Sequence, residues 1–286
     1  LRRRYVPAAD GDLTATVAPG TAPRGARLAT EVGAALSAPT EVGAFWVPAS
    51  TFTRADGSAG VFPHTVTDRA KPGLIAIDAD GRRFVNEAVS YHAFVRAQLA
   101  RADRAVPAWL ICDAAFLWTY GLGKIRPFTR RLEAEVASGY LKRADSVEAL
   151  ARELGVPGPA LAETIATFGH HAAHGEDPAF GRGGDAYQRS LGDADHRPNP
   201  CVAPIATPPF YAVEVRPADL GMSSGLATDE TARVLSADGA PIPGLFACGN
   251  DMASIMEGAY PGPGITLGPA LVFGWFAGRG AAAGAA

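Results

Sequence analysis

The segment Tyr260-Pro-Gly-Pro-Gly-Ile-Thr-Leu-Gly268 places a phenol and three glycines directly ahead of an apolar stretch. Pro261-Gly-Pro-Gly264 delivers the chain into a helix predicted over residues 265–277. Glycines let backbone N–H groups approach a ligand closely, and a helix N-terminus adds partial positive charge. Such donors suit a ring that becomes anionic on accepting a hydride, as a flavin does at its N1/O2 edge. Upstream, Gly244-Leu-Phe-Ala-Cys-Gly-Asn250 reads as a buried strand ending in a small and a polar residue. Gly249 admits close backbone approach there, and Asn250 has the hydrogen-bonding capacity for a ribityl or phosphate oxygen. Gly262, Gly264, Ile265, Thr266 and Leu267 complete the expected cofactor-binding turn. Glu257 is placed at a polar pocket rim, and Tyr91-His92 on the substrate side. Cys248 reads as a small buried thiol. His170, His171 and His174 read as a solvated helix end, because no acidic pattern accompanies them.

Several elements must hold these groups. A short helix is predicted over residues 25–36, with Leu28, Val32 and Leu36 on one face. Strand-like residues 74–77 and 83–85 flank Asp80-Gly81, a strong turn signal, and predict a hairpin. A helix follows over 91–102 and a buried strand over 108–113. Asp145-Ser-Val-Glu148 has capping-box spacing before a helix that stops near Gly155, and a second helix runs over 159–171. The polar tract 174–199 is predicted as a long surface connection. Residues 210–215, 233–235 and 244–247 are strand-like, with a turn at Ala237-Asp-Gly239, and the tail from Gly280 is expected to fray.

With 286 residues the chain has room for one large domain or two smaller ones, and 48% hydrophobic residues supply a core. A net charge of −3, with only short scattered basic runs, leaves no footprint for nucleic acid. Three cysteines lie far apart without a CxxC pair, so neither zinc nor a disulfide framework is indicated and a reducing cytoplasm is favoured. No apolar run reaches the roughly 18–20 residues that span a bilayer. Leu1-Arg-Arg-Arg-Tyr5 is followed by no apolar signal region, and the absence of a first methionine predicts a longer protein beginning upstream.

Residues 244–249 and 260–273 resemble the carboxy-terminal flavin-binding part of the fumarate reductase/succinate dehydrogenase flavoprotein superfamily. Tyr260-Pro-Gly-Pro-Gly-Ile-Thr-Leu-Gly-Pro-Ala270 is most similar to its 3-ketosteroid dehydrogenase branch. Gly81-Arg-Arg-Phe-Val-Asn-Glu87, Phe62-Pro-His64 and Asp68-Arg69 fit the same family. The departures count against dicarboxylates. Tyr91 stands where fumarate reductases carry a proton-donating arginine, and Pro261 where they carry a substrate-clamping one. Leu220-Gly-Met-Ser-Ser-Gly225 lacks their histidine. Two guanidiniums that would hold a dicarboxylate are missing.

The resemblance implies an α/β fold, part of an FAD-binding doubly wound domain with an inserted α+β substrate (cap) domain. The expected divisions are residues 1–70, 71–212 and 213–286. It implies an FAD-dependent dehydrogenase that desaturates a ketone-bearing alicyclic substrate, such as a steroid. Tyr260 and the Gly264 amide would bind the ketone oxygen, and Tyr120, after Asp113-Ala-Ala-Phe116, would be the base. Tyr91, Glu257 and Ser224 are expected at the substrate pocket. The family's GxGxxG unit and its acidic partner are missing here, so the ADP part of FAD has no visible cradle. The expected partner is therefore an amino-terminal FAD-binding half, in the same longer chain or in a separate subunit, and FAD binding by this chain alone should be weak. The alternatives are an incomplete or non-catalytic flavoprotein half serving as subunit or scaffold, and a flavin-dependent enoate (fumarate-type) reductase.

Overall fold

The computed structural model describes residues 13–15, 24–39 and 42–284. The chain divides into two units, Val47–Ala218 and the joined segments Leu1–Trp46 and Asp219–Ala286. In chain order the elements are α1 (Arg24–Glu31), β1 (Ala44–Thr53), β2 (Ala59–Pro63), β3 (Leu74–Ile77), α2 (Tyr91–Ala100), α3 (Ala102–Ala105), β4 (Ala108–Asp113) and α4 (Ala114–Tyr120). They continue with α5 (Glu133–Ala137), β5 (Lys142–Ala144), α6 (Val147–Leu154), α7 (Gly158–Ala172), α8 (Ala186–Leu191), β6 (Phe210–Met222), β7 (Arg233–Leu235), β8 (Pro241–Phe246) and α9 (Leu267–Gly284).

The middle unit is organised on a sheet of strand order β2-β1-β6-β4-β3, with β5 also paired to β6. β3 is apolar at every position and buried throughout, the pattern of a strand covered on both faces. It runs antiparallel to β4, Leu74 opposite Cys112 and Ile77 opposite Trp109. β4 in turn runs antiparallel to β6, Leu110 opposite Val213. Ile75, Ile77 and Ile111 pack with Leu150, Leu161, Ile165 and Phe168 of α6 and α7 into the main core. Each such side chain contributes about 1.5–3 kcal/mol through burial.

The predicted hairpin is reduced to a single bridge, Ile77 to Arg83, around a turn closed by Gly81 N–H donating to Asp78 O at 3.0 Å. Its second arm is not a strand because the Glu87 carboxylate accepts the Ala76 amide at 2.9 Å, replacing a ladder partner. α6 begins one residue later than the capping-box spacing implied. Ser146 is the cap, its hydroxyl accepting from Ala149 N–H at 3.1 Å. The tract 174–199 is not a plain surface connection. It contains α8 and buries Asp177, Arg182, Gln188 and Asn199. Arg182 donates to Glu87 at 3.0 Å and to the carbonyls of Arg69, Lys71 and Leu74.

In the other unit, α1 buries Ala26 and Ala29, while Leu28 and Val32 face outward, the reverse of the predicted face. The small face wins because Ala29 and Ala34 fit against Leu226, Val234, Ala247 and Met252. β7 and β8 form an antiparallel pair whose turn is closed by Ser236 and Ala240. β8 starts earlier than expected, at Pro241. α9 extends to Gly284 rather than fraying from Gly280, and its Leu267, Leu271, Val272 and Trp275 are exposed.

Candidate functional site

Tyr120 is the last residue of α4. Asp113 caps that helix, one carboxylate oxygen accepting from Phe116 N–H at 2.9 Å and the other from Ala206 and Thr207 N–H at 2.9 Å. Phe116 and Leu117 anchor the buried face, and the half-buried Tyr120 ring packs 5.2 Å from Phe116. Its hydroxyl donates to Asp193 Oδ2 at 2.5 Å. Burial and the adjacent carboxylate push the phenol above its ordinary value, so it stays protonated at neutral pH. The phenol's hydrogen bond is also what holds the Asp193 carboxyl below the usual range.

Tyr120 lines a cavity of about 390 Å³ with Phe62, Asp68, Leu122, Gly123 and Lys124. The loop beside it is clamped from below. Asp68 Oδ2 accepts from Gly123 N–H at 3.2 Å, and the Tyr140 hydroxyl accepts from Lys124 N–H at 3.0 Å. These two side chains are joined through His64 and Ser50. His64 Nδ1 lies 2.6 Å from Asp68, His64 Nε2 2.8 Å from Ser50 Oγ, and Ser50 Oγ 2.9 Å from the Tyr140 hydroxyl. The line resembles a nucleophile–base–acid set, but Ser50 is 2% exposed and its hydroxyl is engaged on both sides. It fixes a loop instead of attacking a substrate. Burial alone would raise the Asp68 carboxyl, yet His64 and Arg69 hold it low and ionised.

Tyr91 opens α2 behind the Ser90 cap and is buried. Neighbouring His92 is also buried, and burial together with Arg96 lowers it to about 4, so it is neutral at physiological pH. A larger cavity of about 630 Å³, lined by Phe52, Trp109, Tyr140 and Lys142 among others, contains none of the predicted site residues.

In the other unit, Tyr260 is buried with its ring 5.4 Å edge-on from Phe45. Gly264 sits at φ +100°, a conformation that side chains resist, and its surroundings would leave a Cβ free. Glycine is required there by the backbone, and the residue is exposed. Gly249, Asn250, Ile265 and Thr266 are brought to one narrow cleft of about 20 Å³, together with Phe45 and Ser254. Gly262 is half-buried beside it and Leu267 points outward. Glu257 is exposed at φ +51° in the preceding bend. Ser224 is buried, and its hydroxyl has no hydrogen-bond partner among the described residues.

The cleft's carboxamide and threonine hydroxyl, with the glycine backbone beside them, fit a flavin edge. The cleft residues are those that would hold the ring. Among the described residues no group of His, Cys, Asp or Glu could hold a metal ion. No described helix is long and apolar enough to cross a membrane. The sequence reading did not single out Asp193 or Tyr140. Asp193 stands 73 residues from Tyr120 in a polar tract, and no local spacing signals their meeting.

Residues 2–267 match a family described as "FAD binding domain". The chain is 39% identical, over 98% of its length, to a 4-oxocyclohex-2-ene-1-carboxylate 5-dehydrogenase of Sinomonas cyclohexanicum, of which it covers 48%. It is 36% identical over 74% of its length to a 3-oxosteroid 1-dehydrogenase of Mycobacterium tuberculosis, covering 39% of that protein. Its structure superimposes on 3-ketosteroid delta1-dehydrogenase from Sterolibacterium denitrificans with a TM-score of 0.88 at 36% identity, over 99% of this chain and 50% of that one. The chain thus spans about half the length of the relatives it matches. With a glycine turn, a polar cleft and a family match across nearly its whole length, the chain belongs to the FAD-binding domain family.

Proposed function

We propose that the intact protein is an FAD-dependent dehydrogenase that introduces a double bond beside the ketone of an alicyclic substrate, such as a 3-ketosteroid or an oxocyclohexane carboxylate. The observation that carries this is the Tyr260–Gly264 turn, in which a buried tyrosine is followed four residues on by an exposed glycine at φ +100°. Tyr91 and Pro261 in place of arginines count against dicarboxylates. The three relatives described above all bear the names of ketone dehydrogenases.

Tyr260 and the Gly264 amide donate to the ketone oxygen, and the charge they stabilise acidifies the neighbouring C–H. Tyr120 takes that proton. A bound flavin would supply the hydride acceptor. Gly249, Asn250, Gly262, Gly264, Ile265, Thr266 and the backbone of Leu267 would hold the ring, while Tyr91, Glu257 and Ser224 would border the substrate. The ADP part of FAD would be held by a nucleotide-binding half, in the same longer chain or in a separate subunit. The exposed apolar residues of α9 support a further body covering that helix. Three well-separated cysteines without a CxxC pair are the support for a cytoplasmic location.

The test is anaerobic flavin bleaching in the flavin-loaded protein. A 3-ketosteroid or 4-oxocyclohexane carboxylate is expected to bleach the flavin absorbance, and fumarate is not expected to reoxidise it at a comparable rate. Failure of every cyclic ketone would reject the reading. Tyr260→Phe is expected to slow bleaching about 10²–10³-fold by removing one oxyanion donor. Tyr120→Phe should slow it about 10²–10⁴-fold by removing the base.

A further inference from the structure

β5 is a three-residue strand that meets β6 with Arg143 directly opposite Tyr211. Ala144, Phe210 and Ala212 pack into the main core. Side chains alternate along a strand, so Arg143 and Tyr211 share the opposite face of the sheet. Beside them lies a cavity of about 520 Å³, a size that takes small organic ligands. It shares no residue with the cleft at Asn250 or with the cavities at Tyr120 and Trp109. Leu132, Val136 and Ala137 give it an apolar lining. Two of these lie on α5, which is held to the start of β5 by Leu141 N–H donating to Glu135 O at 3.0 Å.

The polar lining is built to donate. Tyr211 is buried, and its phenol oxygen accepts a hydrogen bond from the Arg143 guanidinium. Burial pushes the phenol up and the arginine opposes this without reversing it, so the O–H is retained at neutral pH. The phenol takes one of the five N–H donors of Arg143 and keeps its own O–H to give. Asp145 lies 3.5 Å from that guanidinium but is 85% exposed, and a pair so open to water is weak. Arg130 is exposed and forms no ion pair among the described residues. Glu133 is the one carboxylate in the lining, so the cavity carries more positive than negative charge. We propose that it is a binding site for a small organic carboxylate with an alicyclic or alkyl body, separate from the residues assigned to the reaction. Arg143 presents its planar fork to the two carboxylate oxygens, and the Tyr211 hydroxyl donates to one of them. Arg130 adds attraction from the rim, and Leu132, Val136 and Ala137 cover the body of the ligand. A phosphate dianion fits less well, because Glu133 repels its second charge and the apolar lining gains nothing from it.

The test is calorimetric titration of the intact, flavin-loaded protein with cyclohexanecarboxylate, octanoate, cyclohexylmethanol and inorganic phosphate. Carboxylate binding is expected, and the tighter of the two acids identifies the body as ring or chain. The neutral alcohol and phosphate should each bind at least about tenfold more weakly than that acid. Arg143→Gln is expected to weaken the acid about tenfold or more, and Arg143→Lys to recover part of the loss. Glu133→Gln should act in the opposite direction and tighten binding about two- to fivefold, by removing the one repelling charge. That variant keeps the test decisive even where Arg143→Gln folds poorly, since Glu133 is exposed. Flavin bleaching by a cyclic ketone should proceed at the parent rate in Arg143→Gln. Absence of carboxylate binding overturns the proposal, as does equal binding of the alcohol or of phosphate, or an affinity that neither Arg143→Gln nor Glu133→Gln alters. Loss of bleaching in a folded Arg143→Gln would place the arginine in the reaction itself and overturn the separate site.

Discussion

Gly123 shows how narrowly a single residue is constrained. It adopts φ +58°, its amide reaches Asp68 at 3.2 Å, and a Cβ there would collide with the Tyr140 hydroxyl. That hydroxyl is tied to Lys124 N–H and to Ser50, so it has no free direction in which to retreat. Gly123→Ala is therefore expected to cost about 1–3 kcal/mol for the left-handed backbone alone. It should also displace the loop that lines the Tyr120 cavity. Urea unfolding checks the first effect; a stability within 0.5 kcal/mol of the parent, about the scatter of neutral surface changes, would contradict it. The glycine itself was visible in the sequence. Its reason was not, because Tyr140, Asp68 and Ser50 come from three distant segments.

At the scale of elements, the strongest signals were short and local. β3, β4 and α2 appear within a residue or two of their predicted bounds, since apolar runs and cap residues act over single turns. The start of α6 moved because Asp145 and Ser146 are both competent caps, and only the backbone path decided for Ser146. Ser146→Ala should lower stability by about 1 kcal/mol, read as a shifted urea midpoint, while Asp145→Ala should lower it much less. Equal losses would show that the box, not the single cap, holds the helix. The second hairpin arm failed for a different reason. Glu87 supplies by its side chain the acceptor that a paired strand would have supplied by its backbone.

At the scale of the whole molecule, buried charge binds the middle unit together. Glu87 is fully buried; burial opposes its charge, but Arg83 and Arg182 outweigh that and keep it ionised. Arg83 also grips Asp177 at 2.7 Å. Removing one member leaves a buried charge and several carbonyls without donors. Arg182→Met is expected to cost about 3–5 kcal/mol in urea unfolding; a loss under 1 kcal/mol would show the cluster to be dispensable. His92 adds a pH dependence. Its folded value of about 4 lies below the unfolded 6.5, so between those values the unfolded chain binds more protons. Its contribution is complete above pH 6.5 and is lost as pH falls toward 4. The parent should lose more stability than His92→Gln between pH 7 and pH 5, and parallel losses would assign the acid sensitivity elsewhere.

By itself the sequence determined the mixed helix and sheet character, the glycine turn at Pro261–Gly264, and the loss of the arginines that grip dicarboxylates. These are statements about residue types and near neighbours, and short-range sterics and hydrogen bonding suffice for them. Only the tertiary structure decided which face of α1 is buried, that the polar tract 174–199 enters the core, and that Tyr120 meets Asp193. Each of those depends on groups tens of residues apart, whose approach is set by packing of the whole unit and leaves no periodicity in the chain.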